Sequence, residues 1–169
     1  MVAWTYSDHG KMRAAYVFAY PRGTASAATF APASLGLSGR VYVYNYVTGR
    51  GALLTAGRTF YATVHGGSYD VVVPVGRSGI AFLGDAGKFV SLGKLRIPRL
   101  SDDGAVRATI AFAAREKAVT LHGYAPAQPA VTATKGAAGP VTYDAASGQF
   151  RVAVSPAPDG TAAIRIATS

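Results

Sequence analysis

Apolar side chains recur at every second position along this chain, in short runs that glycine or proline interrupts. A period of two belongs to extended backbone, where successive side chains point to opposite faces of a sheet, and it leaves little room for helices. Residues 14–20 place Tyr16, Phe18 and Tyr20 on one face before Pro21-Arg-Gly23 stops the run, and residues 24–30 suit a further short strand. Residues 40–47 set Tyr42, Tyr44 and Tyr46 against Val41, Val43 and Val47. Residues 58–64 return, His65-Gly-Gly67 suits a tight hairpin, and residues 69–73 form a β-branched run that Pro74 ends. Further runs fall at 79–83, 88–92, 95–100, 105–113 and 118–124, with weaker ones near Val131, Phe150 and Ile164. About a dozen short strands with turns at this spacing predict an all-β chain, an antiparallel β-sandwich or two sandwiches packed together. Without a fixed-period repeat or a low-complexity linker, residues 1–169 read as a single all-β domain; a subdivision into 1–95 and 96–169 is the alternative.

Composition bounds what such a chain can do. With 169 residues, half of them hydrophobic, it is long enough to bury a core without a disulfide or metal staple. The lack of cysteine excludes disulfides, thiolate-bound zinc and thiol catalysis. It leaves the compartment open. No run approaches the ~20 apolar residues that cross a bilayer as a helix, and residues 1–9 lack a basic segment followed by an apolar one. The chain therefore reads as soluble, without a membrane span. Its net charge of +9 would suit nucleic acid if the bases were gathered on one element. They are spread from Lys11 to Arg165, and the densest run, Lys94-Leu-Arg-Ile-Pro-Arg99, alternates bases with Leu95 and Ile97 like a half-buried strand with a wet face. No nucleic-acid partner is expected.

Carboxylate chemistry has little to draw on. There are eight acids, and Glu116 is the only glutamate. Gly84-Asp-Ala-Gly-Lys88 lacks the earlier glycine and the following Ser or Thr of a phosphate loop, since Phe82 and Phe89 occupy those places. Ser78 lacks the second glycine of a hydrolase elbow because position 80 is isoleucine. His9, His65 and His122 are far apart, and His65 and His122 read as wet surface groups rather than metal ligands. Asp102 and Asp103 are neighbours suited to turn hydrogen bonding. No catalytic residue, cofactor or metal ligand is expected.

The aromatic residues are the candidate contact groups. Tyr42, Tyr44 and Tyr46 share one face at roughly 6.6 to 6.8 Å spacing, able to stack on flat ligand faces or to pack against a neighbouring domain. A strand apolar on both faces belongs in a sheet interior or beneath a neighbour. Trp4 is a separate aromatic, suited to anchoring or to ligand stacking.

The stretch Arg40-Val-Tyr-Val-Tyr-Asn-Tyr-Val-Thr-Gly-Arg50, with Ser68-Tyr-Asp-Val-Val-Val-Pro-Val75 after it, resembles the C-terminal β-sandwich domains of bacterial glycoside hydrolases of the α-galactosidase type. The resemblance covers residues 14–92; Asn45 stands where that pattern commonly has Asp, and Val47 where it has Trp. It implies a non-catalytic accessory domain packed against a catalytic barrel that carries the reactive aspartates and is missing from this chain. It implies a secreted or periplasmic location where the parent enzyme is exported. A free-standing carbohydrate-binding module using exposed aromatics is the alternative.

Overall fold

The structure, a computed structural model, describes residues 1–20, 27–63 and 67–168. It is all-β, as expected: fifteen strands and one 3-10 turn among the described residues. The expected stop at residues 21–23 and the hairpin residues His65 and Gly66 lie outside the described residues. The chain divides into two compact units, Met1–Asp8 with Arg13–Pro74, and His9–Met12 with Val75–Ser169.

The first unit holds β1 (Val2–Ser7), β2 (Ala14–Ala19), β3 (Ala27–Phe30), β4 (Arg40–Asn45), β5 (Gly51–Thr55), β6 (Phe60–Thr63) and β7 (Ser68–Pro74). Five of them form an antiparallel sheet in the order β1-β2-β7-β4-β5, and β3 pairs with β6. On one face Ala15, Val17, Val41, Val43 and Val72 form a core with Phe30, Leu35, Leu37 and Ala56. Each such aliphatic side chain contributes roughly 1.5–3 kcal/mol when fully buried. On the opposite face Tyr16, Tyr42, Tyr44, Val71 and Val73 are buried as well. The two-sided apolar pattern of β4 thus corresponds to an interior strand, flanked by β7 and β5.

The second unit holds β8 (Ala81–Asp85), β9 (Arg99–Asp102), β10 (Val106–Ala111), β11 (Val119–Tyr124), β12 (Ala130–Lys135), β13 (Ala137–Asp144), β14 (Gln149–Ser155) and β15 (Thr161–Ala167). Two four-stranded antiparallel sheets result, β12-β15-β10-β9 and β13-β14-β11-β8. The period of two is clean here. Val106, Ala108 and Ile110 are buried on β10, Ala162, Ile164 and Ile166 on β15, and Phe150, Val152 and Val154 on β14. Such alternate burial is the sandwich-like arrangement, while β8 is buried along its whole length.

Where the alternation fails, the sequence reading fails with it. The edge strand β1 buries little beyond Ser7, and β5 reads Gly-Ala-Leu-Leu-Thr with no alternation, so neither was expected. Between the runs near Val131 and Phe150 lies β13, which no run predicted: an edge strand with an irregularity between Ala138 and Val141 that accommodates Pro140. Conversely, the strand expected at 88–92 and the first four residues of the one expected at 95–100 are turns, bends and irregular backbone, and only Arg99 and Leu100 of the latter are strand. There the expected facing fails at two residues, while Ile97 is buried as expected: Leu95 is 97% exposed, and the Arg96 side chain is drawn inward to 11%.

Candidate functional site

The tyrosine row does not form an open platform. Tyr42 and Tyr44 are buried, and only Tyr46 is partly exposed. The Tyr42 ring lies across Gly51 on the neighbouring strand, so close that a Cβ there would stand 2.1 Å from its hydroxyl. Tyr46 meets Tyr69 edge-on with centroids 5.6 Å apart, and Phe18 packs on Tyr69 at 4.4 Å. Burial, and then the neighbouring Tyr16 and Tyr46, push the Tyr69 hydroxyl well above the usual phenol range. Phe18, Tyr46 and Tyr69 thus pack on one another in the first unit.

Trp4 is different. It is 43% exposed on β1, at the edge of the five-stranded sheet, and Tyr6, two residues on, is 52% exposed. The spacing puts both rings on the same side of the strand, with centroids 6.1 Å apart and planes tilted by 40°. The register fixes them: Trp4 lies opposite Val17 and Tyr6 opposite Ala15, both core residues of β2. The Arg13 guanidinium sits 4.7 Å from the centroid of Tyr6, and Arg13 is ion-paired to Asp8 at 2.9 Å. A cation over an exposed ring contributes about 0.5–1 kcal/mol. The result is an open strip of two ring faces with a guanidinium and a carboxylate at one end. Apolar faces for stacking, with charged groups alongside to bond hydroxyls, suit a polyhydroxylated ring. The sequence reading named Trp4 and missed Tyr6, Asp8 and Arg13. The period-two spacing of Trp4, Tyr6 and Asp8 was the available signal.

The Asn45 segment has a structural task. Its amide donates to the wholly buried Asp70 at 3.1 Å, while its Oδ1 accepts from the Thr48 amide at 2.8 Å and the Thr48 hydroxyl at 3.0 Å. Ser68 donates to the other Asp70 oxygen at 2.6 Å. Burial raises the Asp70 carboxyl above the usual carboxylate range, against the lowering effect of these two hydrogen bonds.

In the second unit Arg96 gathers two acids: its Nε reaches Asp85 at 2.8 Å, and its terminal nitrogens reach Glu116 at 2.6 and 2.8 Å. Hydrogen bonding to Arg96 holds the Glu116 carboxyl below its ordinary value. Beside this cluster Phe89, Val90, Leu95 and Phe112, with Lys88 and Lys94, line an open apolar groove of about 630 Å³. Ser78 donates to Asp102 at 2.5 Å, and Asp102 also accepts from the Gly104 amide, as turn-forming aspartates do.

His122 corrects its expected place at the surface. It faces away from Val119 and Leu121 as anticipated, yet it is only 5% exposed. It lies opposite Gly84 and Arg151, and the Ser91 carbonyl and the Leu92 side chain crowd the space a Cβ at Gly84 would need. Burial, and then the Arg151 charge, lower its pKa to about 4. His9 pairs through Nε2 with the Leu92 carbonyl at 2.8 Å. Among the described residues no three His, Asp or Glu side chains are placed to hold a metal ion. Compared with known proteins, the chain matches no protein-family model and no curated protein.

Proposed function

We propose that this chain is a non-catalytic accessory β module of a carbohydrate-active enzyme, and that Trp4 and Tyr6 are its glycan contact. The observation that carries this is the exposed two-ring strip on β1, with Arg13 and Asp8 at its end. The resemblance of residues 40–50 and 68–75 to closing sandwiches of glycoside hydrolases supports the setting, a longer polypeptide whose catalytic barrel carries the reactive groups. Phe89, Val90 and Leu95, at 62%, 46% and 97% exposure, supply an apolar surface for packing on such a barrel. No residue of this chain is assigned a catalytic role.

Affinity electrophoresis of the full chain through gels containing neutral polysaccharides tests the assignment. At least one polysaccharide should retard the wild type, and Trp4→Ala should weaken that retardation by about tenfold or more, the loss of roughly one stacked ring. Retardation that Trp4→Ala and Tyr6→Ala leave unchanged, or a full panel without retardation, would contradict it.

A further inference from the structure

The sheet register gathers bases that are remote in sequence. On the outward face of β12-β15-β10-β9, Arg107 lies directly opposite Arg165, Ser101 lies opposite Arg107 on the other side, and Arg99 is the diagonal neighbour opposite Thr109. All three arginines are exposed, while the residues between them, Leu100, Val106, Ala108, Ile164 and Ile166, point into the core. The expectation of ungathered charge holds along the chain and fails across the sheet.

Like charges directly opposite on neighbouring strands cost roughly 0.2–1 kcal/mol, so an Arg-Arg pair is not there for the fold. Arg107 has a counter-charge in Asp103. Arg99 and Arg165 have no acidic partner among the described residues. The arginines share an open recess of about 480 Å³ with the hydroxyls of Ser101, Thr109 and Thr134. Planar guanidinium groups match carboxylates and sulfates in paired hydrogen bonds. A row of them between hydroxyl groups fits a chain bearing anions at intervals.

We infer that this face binds an anionic polysaccharide, through the carboxylates or sulfates of its sugars. Two features set nucleic acid aside. No aromatic side chain stands among Arg99, Ser101, Arg107, Thr109, Ala163 and Arg165, so bases have nothing to stack on. A broad four-stranded face also offers no helix or two-stranded ribbon to enter a duplex groove. The site belongs to the second unit and does not rest on Trp4.

Isothermal titration of the full chain with polygalacturonate, dextran sulfate, neutral dextran and a single-stranded oligonucleotide, each at several salt concentrations, tests it. One of the two anionic glycans should bind at least tenfold more tightly than neutral dextran, and the carboxylated and sulfated arms identify the preferred anion. Arg107→Thr with Arg165→Thr should weaken binding at least tenfold. A charge-matched control, Arg58→Thr with Lys117→Thr, should change it less than twofold. Arg165→Thr alone should keep or raise the melting temperature, because it relieves the like-charge pair, and should itself lower affinity if the double variant does not fold. Equal losses in the two double variants, oligonucleotide binding as tight as glycan binding, or no binding to either anionic glycan would overturn the proposal.

Discussion

Asp70 is the residue whose environment is most at odds with its charge. It has no exposed surface, two neutral side-chain donors and a raised pKa. The folded chain therefore keeps its proton at a pH where the unfolded chain has released it, and stability falls as pH rises through the ordinary carboxylate range toward the raised value. Asp70→Asn keeps the bond from Asn45 on its one oxygen, lets the Ser68 hydroxyl turn to accept from the new amide, and removes the buried charge, so it should raise the melting temperature at pH 7. Asp70→Ala strands Asn45 and Ser68 and should cost about 1–3 kcal/mol. Equal destabilisation by both in thermal melts would contradict this. For His122 the shift is downward. Between its ordinary value of 6.5 and its folded value of about 4 the unfolded chain binds more protons. Its contribution is complete above pH 6.5 and is lost as pH falls toward 4, on the order of 3 kcal/mol. Urea titrations at pH 7 and 4.5 should show this loss in the wild type and a smaller one in His122→Gln. Neither environment was legible in the sequence. Alternation correctly turns His122 away from Leu121, but the Ser91-Leu92 segment packs over Gly84, the residue opposite it, and alternation says nothing about loops.

At the scale of elements, alternation served strands with one wet face and missed β1, β5 and β13, three strands at sheet edges. The strands β10 and β14 bury every second residue, and both were readable. The strand β1 pairs along one side only, so its exposed rings were free of the pattern that core packing imposes. That is also why Tyr6 escaped the list of contact residues although Trp4 was on it. In the connection from β8 to β9, an alternation typical of strands is overruled by electrostatics. Asp85 is 6% exposed at its side chain, and Arg96 turns inward to meet it. Arg96→Met would leave Asp85 buried without a counter-charge and should cost about 3–5 kcal/mol. Hydrogen exchange should then quicken at the Arg96 and Ile97 amides, which both bond to the Gly93 carbonyl. Unchanged stability and unchanged protection at these amides would show that the ion cluster does not hold the connection.

For the molecule as a whole, the all-β class followed from period and turns, whereas the site depended on which aromatic rings remain outside. Three tyrosines on one strand read as a row for ligand stacking or for packing on a neighbouring domain, and two of them are buried. A single tryptophan at position 4 remains in the open, and it is the only one in the chain. Its fluorescence therefore reports the proposed contact without interference from another indole. Titration with oligosaccharides cut from whichever polysaccharide retards the chain should shift and saturate that emission, with the same affinity measured by calorimetry, and Tyr6→Ala should weaken it. Emission that stays constant while calorimetry records binding would place the glycan elsewhere and contradict the account.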